Sequence, residues 1–181
     1  STNAAAMAYR SELEAKIFSA IEQAAKAMSP VTLSVARGSL QLGYNRLLPR
    51  DDGRTRALFD NLERVPYGPV DPEYVLLRVD GTDGTPRALL VHYATHPVVL
   101  GPTNCKYSAD YPGVMQARVE AAIPGAQVMF VQGGAGDINP IFMARSGDEE
   151  KDFGVVQTMG ELLAEIMRPE RDLPLDRAGP F

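Results

Sequence analysis

The stretch that decides the fold is residues 74–93, where YVLLRV (74–79) and RALLVHY (87–93) flank Gly81-Thr82-Asp83-Gly84. Both runs are apolar and rich in strand formers, and the tetrad between them carries turn chemistry, so the segment predicts an antiparallel hairpin. Downstream, Pro112 suits a first helical turn, and Val114, Ala117 and Ala121 continue a short helix that Pro124-Gly125 ends. Gln127 to Val131 then reads as a buried strand. A last helix, Gly154 to Met167, places Val155, Met159, Leu162 and Ile166 on one face before Pro169 breaks it.

Upstream of the hairpin, Ser11 with Glu14 forms a capping box that opens an amphipathic helix of Leu13, Ile17, Ile21, Ala24 and Met28, stopped by Ser29-Pro30. From Val31 to Leu42 the apolar residues alternate with a break at Gly38, which predicts a strand with a bend or a hairpin. Asn45 to Pro72 is rich in charge, Pro and Gly and reads as a long surface excursion, with at most a short helix around Thr55 to Asn61. Strands alternating with helices define an α/β class, a mixed β-sheet with helices packed on its faces. No internal repeat or low-complexity tract interrupts it.

With 181 residues and 45% hydrophobic content, the chain predicts one domain. Ser1 to Ala4 reads as an expression-tag remnant, which leaves residues 5–181 as a single α/β domain and a fragment of a larger one. A net charge of −5 without a basic block excludes the phosphate-neutralising patch of a nucleic-acid binder. No apolar run reaches the ~20 residues of a membrane span, and no leader pattern opens the sequence, so the expectation is a soluble chain. Cys105 is the only cysteine. It permits no internal disulfide and leaves the compartment open, a secreted or periplasmic parent included; without a Cys-His signature around it, it reads as a structural or surface thiol.

The two histidines are His92 and His96. On a strand their separation is ~13 Å, too far for both to meet one metal ion. His96 is the candidate, because it stands at the strand's end before Pro97, where side chains of an open sheet reach a crevice; the alternative is an imidazole satisfied by a backbone carbonyl. Asp110, just before a helix, either accepts backbone N–H groups at the helix start or orients a metal-bound histidine. Gly133-Gly134-Ala135-Gly136-Asp137-Ile138-Asn139-Pro140 follows a strand but lacks dinucleotide and P-loop spacing. Its glycine amides suit a developing oxyanion, with Asp137 and Asn139 as polar neighbours; the alternative is a tight turn closed by an Asx hydrogen bond. So many glycines also predict close approaches or unusual backbone angles.

Taken together, Tyr93-Ala94-Thr95-His96-Pro97 with Asn104, then Ser108-Ala109-Asp110, then Gly136-Asp137-Ile138-Asn139-Pro140 resemble the N-terminal domain of neutral/alkaline ceramidases. The similarity extends to the opening helix, the Arg37-Gly38 strand, Asn45-Arg46 and Val70-Asp71-Pro72-Glu73. It rests on the order and spacing of these segments rather than on any one motif. The resemblance implies a zinc-dependent amidase that cleaves an N-acyl bond such as that of ceramide, with His96 as a metal ligand. Asp110 would then lie behind the ligands, Asn104 and Gly133 near the substrate, and Asp137, Asn139, Gly134 and Gly136 around the reacting carbonyl. The family's remaining ligands, an upstream histidine and a downstream Glu and Tyr, have no match here, so the chain by itself is expected to hold zinc weakly and to be inactive.

One departure concerns the family's Gly-Asp-x-Ser-Pro stretch, where this chain carries Asn139 in place of the serine. An amide cannot supply an attacking alkoxide, whereas a metal-activated water needs no serine. Two rival readings follow: a non-catalytic domain that binds a lipid or glycan or serves assembly, and a metal-free hydrolase with Asp137 as general base. A domain that is part of a larger one also exposes an unfinished sheet edge, through which self-association is expected.

Overall fold

In the computed structural model, which describes residues 3–166 and 176–180, the elements in chain order are α1 (Ala4–Lys26), β1 (Val31–Ser39), β2 (Gly43–Asn45), β3 (Leu47–Pro49), β4 (Thr55–Ala57), β5 (Glu73–Gly81), β6 (Pro86–Tyr93), α2 (Asp110–Ala122), β7 (Gln127–Gln132), β8 (Ile138–Pro140), α3 (Glu149–Glu165) and β9 (Asp176–Pro180). Five strands form one sheet in the order β7-β6-β5-β1-β9; β6 and β7 run parallel, the other neighbours antiparallel. The hairpin read at 74–93 is the β5–β6 pair, its turn closed by Asp83, whose carboxylate accepts from both the backbone N–H and the hydroxyl of Thr85. The α/β class and the mixed sheet hold.

Alternation along the strands decides which face is covered. Ala36, Leu76, Leu89, Val91, Tyr93 and Val128 point to a core shared with Tyr111, Met115 and Val119 of α2 and with Val156, Met159 and Leu163 of α3. Each buried Val, Leu or Met among them gains about 1.5–3 kcal/mol from leaving water. Tyr111 is fully buried, packs edge-on against Phe130 and donates its hydroxyl to the Thr95 carbonyl at 2.5 Å. That bond ties α2 to the segment that follows β6.

The two packed helices touch at Gly160, where a Cβ would lie 2.5 Å from Val114 Cβ and 2.8 Å from the Tyr111 carbonyl oxygen. Helix propensity alone would make Gly160→Ala stabilising by up to about 1 kcal/mol, but overpacking a close helix contact costs about 1–3 kcal/mol. Gly160→Ala is therefore expected to lower the urea midpoint, and an unchanged or raised midpoint would show that the helices can yield.

Several sequence expectations are corrected by the structure. The opening helix starts at Ala4, capped by the Asn3 side chain on Ala5 N–H, so Ser11 lies mid-helix and Glu14 pairs with Arg10 instead of closing a box. β1 runs unbroken through Gly38, which is glycine because the Tyr74 ring from β5 occupies the space where its Cβ would stand. The region around Thr55 to Asn61 holds no helix; Leu47–Pro49 and Thr55–Ala57 pair as a small hairpin instead. β7 is buried on one face only: Val128 joins the core and Phe130 packs against it, but as a sheet edge the strand leaves Met129 and Val131 exposed. The last helix begins at Glu149, capped by Asp148; of the expected face Met159 and Ile166 are buried and Val155 packs against the core, but Leu162 is exposed, and Val156, Gly160 and Leu163 are buried as well because α2 approaches from the side where Gly160 permits contact. Met167 and Pro169 of that expectation, and Ser1 and Thr2 of the tag reading, lie outside the described residues.

Candidate functional site

A two-stranded ladder that sequence periodicity does not announce builds the site. β2 pairs with β8, setting Gly43 opposite Pro140, Tyr44 opposite Asn139 and Asn45 opposite Ile138. The pairing needs a glycine at 43, since a Cβ there would come within 2.7 Å of both Ile138 Cγ2 and Thr95 Oγ1. Asn45 locks the junction: its Nδ2 donates to Asp137 Oδ2 at 2.7 Å and to the Pro69 carbonyl at 3.2 Å. Arg46 N–H adds a bond to the Asp137 carbonyl at 2.8 Å.

His96 lies just beyond β6 and is fastened to the same ladder. Its backbone N–H donates to the Ile138 carbonyl at 3.0 Å, and its Nδ1 sits 3.1 Å from that same oxygen. A carbonyl only accepts, so in the neutral imidazole this bond selects the tautomer with the proton on Nδ1 and the lone pair on Nε2. The imidazole is thus satisfied by a backbone carbonyl, the alternative reading of His96 in the sequence. His92, by contrast, stays on β6 opposite Val75 and Val131, and its buried Nδ1 has no hydrogen-bond partner among the described residues.

Asn139 is 2% exposed and its Oδ1 accepts from Arg46 Nη1 at 3.3 Å, while Arg46 Nη2 donates to the Gly136 carbonyl at 3.0 Å. The Arg46 guanidinium also stands 5.4 Å from the centre of the Phe59 ring. Its partners are thus two neutral oxygens and an aromatic face, and no carboxylate pairs with it in a salt bridge among the described residues. Tyr44 packs beneath this pair and donates to the Leu58 carbonyl at 3.0 Å. Burial pushes the Tyr44 phenol above its ordinary range, with the neighbouring Asn139 side chain opposing the shift.

A cleft of about 680 Å³ opens here, with Arg46, Asn139, Asn104 and Asp110 on its wall together with Arg145 and Lys106. Phe59, Pro97, Val98, Leu100, Pro102 and Met143 make much of the rest apolar. Asp110 takes up a left-handed backbone conformation, φ 53°, at the start of α2. Its Oδ1 accepts from Val99 N–H at 3.2 Å and Tyr111 N–H at 2.8 Å, and its Oδ2 from Leu100 N–H at 3.2 Å. Both oxygens are engaged by backbone, so Asp110 ties the turn that follows His96 to the start of α2. Desolvation pushes its carboxyl above the usual range, and the three N–H bonds pull the other way.

The remaining sequence candidates separate. Asn104 spends its amide on its own loop, donating to the Lys106 carbonyl at 2.8 Å and accepting from Lys106 N–H at 3.1 Å. Asp137 is committed to Asn45 and is not on the cleft wall. Gly133 alone of the glycine run is sterically required, since a Cβ would lie 2.8 Å from His92 Nε2. Gly134 and Gly136 have open space around them and no left-handed backbone, contrary to the expectation of strain, because the turn is closed by Ala135 and Ile138 N–H bonds instead. Among the described residues no group of three His, Cys, Asp or Glu side chains could hold a metal ion. Arg46, Tyr44, Phe59 and Arg145 were not among the sequence's site candidates; a charged residue directly after the strand-forming Gly43-Tyr44-Asn45 was the available signal for Arg46.

The fold has known counterparts. The chain is similar to the crystal structure of neutral ceramidase from Pseudomonas aeruginosa, with a TM-score of 0.60 and 18% identity over 80% of this chain and 23% of that one. It is also similar to a ceramidase solved in complex with C2, with a TM-score of 0.55 and 17% identity over 75% of this chain and 21% of that one. The chain thus spans less than a quarter of either counterpart, and the likeness is one of fold. No family model and no curated protein sequence matches it. Among the described residues no helix is long and apolar enough to cross a membrane.

Proposed function

We propose that these residues belong to a hydrolase of N-acyl amides, ceramidase-like in its site, in which a longer polypeptide completes what this chain begins. The observation that carries the reading is that His96 and Arg46 both bond to β8, His96 to the Ile138 carbonyl and Arg46 to Asn139, and that Arg46, Asn139 and Pro97, the residue directly after His96, line a largely apolar cleft. In this reading the substrate carbonyl enters beside Arg46, whose uncommitted N–H donors meet negative charge as it develops on the oxygen. The Gly134 and Gly136 amides have no acceptor among the described residues, but neither glycine lines the cleft. Asn139 fixes the Arg46 fork, and Phe59, Val98, Leu100 and Met143 seat an acyl chain and exclude water.

The residues present fit one position of a zinc site: His96, with its proton held on Nδ1 and Nε2 open. A catalytic zinc takes three protein ligands, so the others would come from outside the described residues, and zinc would bind this chain alone weakly. When bound, zinc polarises a carbonyl and brings the pKa of a water towards ~7. Asn139 in place of a nucleophile favours the second reading, a domain that binds a lipid or glycan without cleaving it.

Zinc content and hydrolysis of N-acyl sphingosine beside a simple N-acyl amide, measured on the longer polypeptide, separate the two. His96→Ala is expected to abolish metal-dependent hydrolysis, and unchanged turnover in that variant would sink the assignment. A protein without metal or turnover that still binds N-acyl sphingosine vesicles would establish the binding reading in its place.

A further inference from the structure

Among the described residues two surfaces are apolar and uncovered. The first is the sheet face opposite α2 and α3. In register, Val35, Leu77, Leu90 and Met129 form one row across four strands, flanked by Leu33 with Val79 and Ala88 on one side and Val75 with His92 and Val131 on the other. None of these side chains is fully buried, and Met129 and Val131 are 43% and 41% exposed. The second is α1, in which Tyr9, Leu13, Ile17 and Ile21 recur at helical spacing and no residue is buried. A lone amphipathic helix depends on tertiary packing for its stability.

We propose that two copies of this chain associate by reciprocal docking, the α1 of each lying across the open sheet face of the other. The dimensions agree: a helix of 23 residues is about 35 Å long, and nine-residue strands such as β1 and β5 extend about 30 Å. Charge agrees as well. On α1 the charges are neutralised along the helix by Glu12–Lys16, Arg10–Glu14 and Glu22–Lys26, and on the sheet Arg37, opposite Val75 in the register, pairs with Glu73, so these charges enter the contact paired.

The area suffices too. Tyr9, Leu13, Ile17, Phe18 and Ile21, between 41% and 73% exposed, offer roughly 500 Å² per helix, and two reciprocal contacts counted on both surfaces reach roughly 2,000 Å², within the range of a stable dimer. In the structure every residue from Asn3 to Pro30 is exposed, so α1 leaves its own sheet uncovered for a second copy.

Light scattering of the full chain at micromolar concentration reads the result directly. A dimer of the 19.6 kDa chain is expected, and both Ile17→Glu/Ile21→Glu on the helix and Met129→Glu on the exposed sheet edge should weaken it more than tenfold. Because these side chains are exposed in the single copy, circular dichroism should show the variants folded. A monodisperse monomer would overturn the proposal. So would a monomer whose α1 amides are protected from hydrogen exchange, which would place the helix on its own sheet, and so would a dimer indifferent to the helix variants.

Discussion

Replacing Asp110 by Ala is expected to lower the unfolding free energy by about 3–5 kcal/mol, because it strands buried N–H groups that cost about 1–3 kcal/mol each. The groups are those of Val99, Leu100 and Tyr111, and the residue itself is 7% exposed. Its left-handed backbone adds a penalty for Ala of about 1–2 kcal/mol that Asn largely escapes. Asp110→Asn should therefore be milder, although its amide cannot accept at every position the carboxylate serves. Urea denaturation of both variants measures the difference, and a loss below about 0.5 kcal/mol for Ala would remove Asp110 from the framework of the site.

The sign of the pH dependence follows from burial. The Asp110 carboxyl titrates above the ordinary 3.8 in the folded chain. Its contribution to stability is thus complete below that value and is lost as the pH rises through the raised folded pKa. The stability gap between the native chain and Asp110→Asn should shrink over that window on the alkaline side.

The second large effect is on chemistry. If Arg46 receives the substrate oxygen, Arg46→Met in the longer polypeptide should cut kcat/KM roughly 10²–10³-fold, the loss typical of one oxyanion donor. Arg46→Lys should not restore it. The guanidinium reaches Asn139 Oδ1 and the Gly136 carbonyl with separate nitrogens and stacks on Phe59, which a single ammonium cannot do. Steady-state kinetics with a thermal melt as control checks this; full activity in a folded Arg46→Met would reduce Arg46 to a prop for the glycine turn.

Legibility of the fold varied with the range of the forces involved. The 74–93 hairpin was readable because both strands and their turn are contiguous, and the side-chain hydrogen bond of Asp83 to Thr85 that closes the turn is local. α2 was readable for the same reason, from Pro112 to Pro124-Gly125. The face of α3 was readable only in part: Met159 and Ile166 are buried as periodicity implies, but the burial of Val156, Gly160 and Leu163 in place of Leu162 depends on where Val114 and the Tyr111 carbonyl meet Gly160. The composition of β7 predicts a buried strand, yet whether a strand is an edge depends on which strands lie beside it.

The candidate site divides the same way. His96 stood out in the sequence as a histidine leaving a strand before a proline, and its neighbours Gly136 to Asn139 as a strand-end turn. Sequence by itself determined the 74–93 hairpin, α2, the mixed α/β class and the short list of polar side chains available for chemistry, because those follow from periodicity, turn residues and residue type. Only the tertiary structure decided which of them act together. The β2–β8 ladder joins residues 43–45 to 138–140, so Arg46 reaches Asn139 while Asp137 is drawn off to Asn45. Hydrogen bonds between segments so far apart in the chain are set by the packing of the whole sheet, and no local pattern records them.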